Sequence, residues 1–257
     1  METVQRSDPH LAGQSDSYGA PHCTARGGAC GALFHPTGYS LWRVVGELGD
    51  GATLTWDAGH GDEAIFVETG ALDTDGTEVH EGSTLVVEAG VPWRIRSVGS
   101  SRIVHFGTVA TTSPTDGLLG PAAEDGRGVH VVSAADATSI HFKGDATSVY
   151  FCDGTCPTCR VTLFLYDGSI FSDGYTGASH FHSEDEIIHM LEGELHVGSL
   201  SIGPGAAVAV PRALRYRLRT PGPYRYLDYR ADVSTAVVAP GSEPVLETTA
   251  NLRSFGG

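Results

Sequence analysis

The chain has 257 residues, with 16 Lys and Arg against 31 Asp and Glu, a formal net charge of −15 and a pI near 5.1. It is 40% hydrophobic and only 18% charged, which excludes an intrinsically disordered protein. The acidic balance predicts no nucleic-acid partner, and the absence of an apolar run of about 18 residues predicts no membrane span. The polar start is unlike a secretory signal and predicts a cytoplasmic protein, in which cysteines stay reduced or bind metal.

The pattern along the chain predicts five segments. Residues 1–30 show no hydrophobic period and are interpreted as an N-terminal arm. Short alternating apolar runs, separated by turn residues, then predict antiparallel strands over 31–107 and again over 130–232. A Pro-, Gly- and Thr-rich stretch over 108–129 predicts a linker, and residues 233–257 are an irregular tail. The chain is therefore predicted to be all-β, with two modules.

An internal repeat relates the two modules. With an offset of 123 residues, residues 62–97 fall on 185–220 without a gap. The match includes Asp62-Glu63 on Asp185-Glu186, Gly70 on Gly193, Gly82 on Gly205 and Val87 on Val210. Because turn glycines and strand alternation coincide throughout, the two modules are predicted to be copies of one β fold, either a barrel or a jelly roll.

The second module contains a pattern typical of metal ligands. It reads G-x5-H-x-H-x3-E-x6-G, from Gly174 through His180, His182 and Glu186 to Gly193. Strand alternation sends His180 and His182 to one face, and Glu186 opens the returning strand toward the same interior. Two imidazoles and one carboxylate with open positions form the ligand set of catalytic divalent metals, including non-haem Fe(II). The alternative is a hydrogen-bonded, structural pair of histidines.

These residues resemble the cupin superfamily, whose first motif is complete here. Its second motif, G-x5-P-x-G-x2-H-x3-N, is matched at Gly205 and Pro211, but Ala213 replaces the glycine and Tyr216 replaces the histidine ligand. The resemblance covers both modules. It implies two tandem cupin barrels, each a double-stranded β-helix or jelly roll.

Tyr216 is the site's main departure from the motif. Alternation with Leu214 and Leu218 predicts that its phenol points toward the metal. The predicted metal ligands are therefore His180, His182, Glu186 and Tyr216, with Tyr216 and Glu186 as catalytic residues. Tyr216 would ligate as phenolate or donate a hydrogen bond to substrate or O2. The alternative is a core aromatic residue whose hydroxyl has another partner.

The first module lacks most of these residues. At the offset of 123, Asp57 replaces His180, Gly59 replaces His182 and Trp93 replaces Tyr216, whereas Glu63 matches Glu186. His60 lies one residue beyond the expected ligand position and would face away from it. The first module is therefore predicted to be degenerate and architectural.

The cysteines form a second candidate site. Cys152, Cys156 and Cys159 have the spacing C-x3-C-x2-C in a predicted hairpin loop. Cys156 and Cys159 are interpreted as a redox pair, as half of a structural Zn site completed by Cys23 and Cys30, or as unpaired thiols.

The cupin resemblance implies an enzyme that acts on a small organic substrate. Resemblance to cupin dioxygenases favours a metal-dependent oxidoreductase with one divalent transition metal, Fe(II) before Mn, Ni, Co or Zn. The alternatives are a redox-neutral isomerase, cyclase or lyase, and a non-catalytic ligand-binding or sensor protein. A homodimer is left open.

Overall fold

The computed structural model describes residues 4–7, 18–109, 126–141, 146–238 and 240–253. Most of the predicted linker, and residues 1–3 and 8–17 of the predicted arm, lie outside the described residues. The described parts are built almost entirely of strands, as predicted for an all-β protein. No helix among these residues is long and apolar enough to cross a membrane.

The elements follow one another along the chain as short strands and one helix. The first half contains β1 (Gln5–Ser7), β2 (Cys23–Arg26), β3 (Ala29–Phe34), β4 (Leu41–Leu48), β5 (Thr53–Trp56), β6 (Glu63–Thr74), β7 (Thr77–His80), β8 (Thr84–Val87), β9 (Arg94–Thr108) and β10 (Val129–Val132). The second half contains β11 (Thr138–His141), β12 (Thr147–Asp153), β13 (Thr162–Asp167), β14 (Tyr175–Thr176), β15 (Phe181–His182), β16 (Glu186–Glu192), β17 (Leu195–Val197), β18 (Leu200–Ile202), β19 (Ala207–Val210), β20 (Leu218–Thr220), β21 (Arg225–Arg230), β22 (Thr235–Val237), β23 (Val245–Leu246) and α1 (Thr249–Arg253).

The chain divides into two compact units. The N-terminal unit comprises His10–Ala137 and Cys156–Arg160. The C-terminal unit comprises Met1–Pro9, Thr138–Thr155 and Val161–Gly257. The start of the chain thus belongs with its second half, and five residues of the second half belong with the first.

The N-terminal unit is a nine-stranded antiparallel sheet. Its main order is β10-β8-β6-β9-β4-β3, with β7 paired to β6, and with β5 joining β2 to β9. Alternating side chains of these strands form a core that includes Trp42, Trp56, Ile65, Leu72, Leu85 and Ile103.

The C-terminal unit contains three sheets. A seven-stranded sheet has the order β1-β19-β16-β21-β13-β12-β11, beside a four-stranded sheet β14-β20-β17-β18 and a three-stranded sheet β15-β22-β23. Its core is rich in tyrosine and includes Tyr150, Phe164, Ile188, Met190, Tyr216 and Tyr226.

The sequence repeat is also a repeat of strand register. Glu63 pairs with Val87 on one side and Gly107 on the other, and Glu186 pairs with Val210 and Arg230. Each residue of the second set lies 123 positions after its counterpart in the first. The register shift between Val67 and Thr69 recurs at the same offset, between Met190 and Glu192. The two units therefore share one local frame around the two glutamates.

Two segments interpreted as irregular contain regular structure. Within the expected arm, β1 pairs with β19 and β2 with β5, and β3, which pairs with β4, begins at its end. Within the expected tail, β22 pairs with both β15 and β23, and α1 follows. These strands have two to six residues, too few for a hydrophobic period to stand out, and their partners are distant in sequence.

Candidate active site in the C-terminal unit

The structure brings the four predicted site residues together. His182 ends β15, Glu186 begins β16, and His180 forms an isolated antiparallel bridge with Tyr216. The bridge consists of two backbone hydrogen bonds of 3.0 and 2.9 Å. The His180 ring lies 4.5 Å from the Tyr216 ring and 4.9 Å from the His182 ring, between centroids. Tyr216, His182 and Glu186 are all buried.

An arginine that the sequence analysis did not include lies at the centre of this group. Arg230 is paired with Glu186 across β16 and β21 and is only 3% exposed. Its guanidinium contacts five side chains. Nη2 lies 3.2 Å from Glu186 Oε2, 3.4 Å from His182 Nε2 and 3.1 Å from Asp228 Oδ2. Nη1 lies 2.6 Å from Glu247 Oε2 and 2.8 Å from Ser234 Oγ. A cation of the chain itself therefore already contacts two of the predicted metal ligands.

The predicted metal ligands do not fit a bound ion in this arrangement. His182 Nε2 and Glu186 Oε2 are 3.9 Å apart, with the Arg230 guanidinium against both atoms. Across the described part of the chain, the only group of three ligand atoms within 4.8 Å of one another lies in the N-terminal unit. A metal between His182 and Glu186 would occupy the same space as Arg230 Nη2, and two cations this close repel each other. We therefore derive no chemical step through a metal at this position.

Glu247 is a site residue supplied by the predicted tail. It accepts a hydrogen bond of 2.8 Å from His182 Nδ1 and further hydrogen bonds from Arg230 and the Ser234 hydroxyl. Burial alone would raise the pKa of Glu247, but the charges of Arg230 and His182 outweigh it, and the pKa lies well below its ordinary value. Glu247 therefore remains a carboxylate and holds the His182 ring in place.

The carboxyls of Glu186 and Asp228 titrate in opposite directions. Burial raises the pKa of Asp228 well above its ordinary value, and the neighbouring Glu186 raises it further, against the effect of Arg230. Burial also opposes ionisation of Glu186, but His182 and Arg230 lower its pKa overall. Two carboxyls beside one guanidinium cannot both ionise at low cost. Glu186 is therefore the more acidic of the two carboxyls, and Asp228 is the one that protonates more readily.

Tyr216 and His180 are both neutral near pH 7. Burial, together with the negative charge of Glu186, raises the pKa of Tyr216 well above its ordinary value. The structure therefore favours a phenol that donates a hydrogen bond over the alternative of a phenolate ligand. Burial and the neighbouring His182 lower the pKa of His180 below 6.5. Its Nδ1 donates a 2.8 Å hydrogen bond to the carbonyl of Ala178, which leaves a lone pair on Nε2.

A cavity of about 630 Å3 in the C-terminal unit borders these groups. One part of its lining is polar and includes His180, His182, Tyr216, Asp228, Arg230 and Glu247. The rest includes six aromatic side chains: Tyr150, Phe164, Tyr166, Tyr175, Tyr224 and Tyr226. Tyr166 stacks nearly parallel to Tyr224 and Tyr226, at centroid distances of 5.6 and 5.3 Å. Such a cavity suits a small organic molecule with an apolar body.

One feature of the sequence could have identified Asp228 and Arg230 as site residues. They alternate with Tyr229 and Leu227 in the strand RYLDYR, where two charged residues on one face of an otherwise buried strand are unusual. Glu247 left no such signal, because it is one acidic residue in a polar segment.

The residues of the first module that replace the motif have structural contacts. Asp57 is exposed and pairs with His22 at 3.3 Å. The buried His60 places its ring nitrogens 2.7 Å from the Gly61 carbonyl and 2.9 Å from the Val91 carbonyl. Trp93 donates a hydrogen bond of 2.6 Å to Thr74.

The five cysteines are thiols rather than disulfides, and they are distributed over both units. Cys23 and Cys30 lie in β2 and β3, and Cys152 lies in β12 of the C-terminal unit. Burial and the nearby Glu63 raise the pKa of Cys23, so this residue is a poor source of a thiolate. Among the described residues, the group of ligand atoms that includes Cys156 and Cys159 contains neither Cys23 nor Cys30, so the predicted four-cysteine grouping is not formed. Instead, Cys156 and Cys159 lie close to Glu88.

Solved structures with the same fold are found among bacterial proteins. The putative glyoxylate-induced protein from Pseudomonas aeruginosa matches with a TM-score of 0.66 at 15% identity, covering 89% of each chain. Protein Ylba from Escherichia coli, of the DUF861 family, matches with a TM-score of 0.62 at 13% identity, covering 88% of this chain and 90% of its own. Oxalate decarboxylase from Bacillus subtilis matches with a TM-score of 0.64 at 12% identity, covering 88% and 76%.

No protein-family model and no curated protein matches the sequence. The structural matches show that the chain shares the fold of these solved structures. At these identities they show the fold alone.

Proposed function

We propose that the chain is an enzyme that transfers protons on a small organic substrate without a net redox change, as in an isomerase, cyclase or lyase reaction. The observation that carries the proposal is the set of groups around the C-terminal cavity. Asp228 and Tyr216 hold their protons there, and His180 presents a neutral imidazole. Groups whose environments move their pKa values apart are the usual acid and base pairs of enzymes. The two units are proposed to be tandem cupin barrels, only one of which is catalytic.

His180 is the proposed general base. Its Nδ1 proton is committed to the Ala178 carbonyl, so the lone pair on Nε2 can accept a proton from substrate. A carbon next to a carbonyl group is a suitable source of that proton. Because the pKa of His180 is lowered, the base is ready at neutral pH, and turnover is expected to fall only below about pH 6.5.

Tyr216 and Asp228 are the proposed acids. Both are buried, both line the cavity, and both keep their protons because burial and the charge of Glu186 raise their pKa values. A neutral donor in a buried site stabilises negative charge that develops on a carbonyl oxygen. The proton that leaves carbon is thus held on His180, and the oxygen receives a hydrogen bond from Tyr216 or Asp228.

The charges around Arg230 restrict the substrate. Its single guanidinium faces the carboxylates of Glu186 and Glu247, which leaves this end of the cavity without a free positive charge. A dianion such as oxalate, which the Bacillus subtilis neighbour decarboxylates according to its name, is therefore disfavoured. We propose a substrate that carries a carbonyl group on an apolar or aromatic body and has no net negative charge.

A metal-dependent dioxygenase with Fe(II) is the second candidate. One observation favours it: His182 donates its Nδ1 proton to Glu247, as metal-bound histidines commonly do to a carboxylate. One neighbouring oxalate decarboxylase structure is described by its Mn(II) centres. In this chain, however, a metal would require Arg230 to leave Glu186 and His182.

Proton exchange with solvent tests the first candidate. The full chain would be incubated in D2O without O2, with a panel of uncharged aromatic and aliphatic ketones and aldehydes, and deuterium incorporation would be followed by NMR. Replacing His180→Gln should lower the exchange rate by about 100-fold or more, and Tyr216→Phe by about 10- to 1000-fold. His196→Gln, a half-buried histidine of the same unit beside Glu194, is the matched control.

Three results would decide against proton transfer. Full activity of both variants would show that His180 and Tyr216 only pack. Uptake of O2 that depends on added Fe(II) and is lost in His182→Ala would favour the dioxygenase. Ligands that raise the melting temperature without exchange or turnover would favour a binding protein.

A further inference from the structure

A second cluster of metal-ligating side chains lies in the N-terminal unit. Glu88 directly follows β8, and Cys156 and Cys159 lie in the Cys156–Arg160 segment of the same unit. One carboxylate oxygen and both sulfur atoms lie within 4.8 Å of one another. Glu88 is fully buried and Cys159 is 3% exposed. We propose that Cys156, Cys159 and Glu88 bind a Zn2+ ion, with His130 as the fourth ligand.

The distances within the cluster match a tetrahedral zinc site. Zinc lies about 2.3 Å from thiolate sulfur and about 2.1 Å from carboxylate oxygen, which at a tetrahedral angle separates the two ligand atoms by about 3.6 Å. Cys156 Sγ and Glu88 Oε1 are 3.6 Å apart. An ion can therefore bind both atoms without rearrangement of the backbone.

The contacts of Glu88 show where an ion would bind. The Cys156 thiol and the Thr158 hydroxyl donate to Glu88 Oε1, at 3.6 and 2.6 Å, and the Gly128 amide donates to Oε2 at 2.6 Å. Zinc binds cysteine as the thiolate, so the ion would displace the Cys156 proton and take its place between the sulfur and the carboxylate.

His130 supplies an imidazole beside Glu88. Its Nε2 lies 2.9 Å from Glu88 Oε1 and its side chain is 46% exposed, so it would serve as a ligand by exchanging this contact for the ion. Two thiolates, one imidazole and one carboxylate favour zinc over harder cations such as Mg2+ or Ca2+.

The ion would join segments that are far apart in the sequence. Glu88 and Cys156 are 68 residues apart, and Glu88 and His130 are 42 apart. A link between distant segments restricts the unfolded chain more than a local one. The proposed role is therefore structural: the ion fixes the Cys156–Arg160 segment to the end of β8.

Metal analysis of the intact protein tests the proposal. The reduced full chain would be loaded with Zn2+, freed of excess metal by gel filtration and analysed for zinc and for thiols. One zinc per chain is expected, and none in Cys156→Ser/Cys159→Ser. Glu88→Gln should weaken zinc binding by at least about 10-fold. Cys23→Ser/Cys30→Ser is the matched control and should retain the wild-type content.

Cobalt provides a second measurement that does not depend on the stability of the variants. Co2+ added to the wild-type chain should give the near-ultraviolet absorption of thiolate bound to cobalt, and Zn2+ should displace it. A wild-type chain that binds neither ion would overturn the proposal, as would zinc retained in the double serine variant. A Cys156–Cys159 disulfide in freshly purified protein would instead show a redox pair and would also overturn it.

Discussion

Glu63 and Glu186 occupy the same place in the strand frames of the two units, but their surroundings differ in kind. Glu63 accepts hydrogen bonds of 2.5 Å from Trp56 Nε1 and 2.7 Å from His105 Nε2, and the Tyr18 hydroxyl bonds the other nitrogen of His105. Rings therefore enclose the first glutamate. Glu186 instead faces charged groups beside a cavity, as described above. Equivalent strand pairings therefore surround a packed aromatic interior in the N-terminal unit and a charged site in the C-terminal unit.

The difference between the surroundings of Glu63 and Glu186 depends on two strand positions that pair with or lie beside these glutamates. Gly107 pairs with Glu63 where Arg230 pairs with Glu186. The next strand has Trp42 opposite Gly107, and Thr162 opposite Arg230. A large ring beside glycine fills the first interior, whereas a small side chain beside arginine leaves room for the guanidinium. Side-chain size across the strands thus decides which glutamate can have a charged partner.

Removing the Arg230 guanidinium is expected to have the largest effect on the charged site of the C-terminal unit. In Arg230→Ala, the carboxyls of Glu186, Asp228 and Glu247 remain buried without their cation. The free energy of unfolding should fall by about 3 to 5 kcal/mol, as measured by chemical denaturation. Arg225→Ala is the control on the same strand. Because Arg225 is half-buried and pairs with Glu192 near solvent, its loss should cost about 1 kcal/mol or less. Equal losses for the two variants would contradict the assigned role of Arg230.

The loss of stability at acid pH tests the charged site of the C-terminal unit further. The pKa of Glu247 is lowered in the folded chain, so its contribution is complete above its ordinary value of 4.5 and is lost as pH falls below that value. Glu247→Gln should remove about 2 kcal/mol at neutral pH and flatten the decline of the unfolding free energy below pH 4.5. Asp228 has the opposite sign, since a raised pKa stabilises the folded chain at low pH and not at high pH. If Glu247→Gln loses stability below pH 4.5 as steeply as the wild type, the predicted contribution of Glu247 is contradicted. Glu192→Gln, at an exposed position, is the control.

A small change at Gly107 tests how completely the first interior is filled. A Cβ atom there would overlap the Trp42 ring and lie 2.9 Å from Glu63 Cγ. Gly107→Ala should therefore lower the free energy of unfolding by about 1 to 2 kcal/mol. Gly203→Ala, where an added Cβ meets no atom within 4 Å, is the control. If the two variants are equally stable, the N-terminal unit has more room than its rings indicate.

Much of the secondary structure could be predicted because it depends on residues that are close together in the sequence. Alternating runs and turn residues predicted strands, and the ungapped offset of 123 over residues 62–97 and 185–220 predicted two copies of one β fold. In the structure the same offset relates the strand partners of Glu63 to those of Glu186. The motif spacing also placed His180, His182, Glu186 and Tyr216 together. Strand alternation and tight turns act over a few residues, so their consequences can be read directly from the sequence.

Only the tertiary structure decided what those residues meet. Arg230 is 44 residues from Glu186, Glu247 is 65 from His182, and Cys156 is 68 from Glu88. These contacts depend on which strands pair and on the size of side chains across them, and neither has a period in the sequence. The motif alone therefore predicted a metal at His182 and Glu186, and it gave no sign that the pairing of β21 with β16 brings a guanidinium against both residues. Buried charges are matched by whichever partner the folded chain brings near, and that partner is fixed only when the sheet is complete.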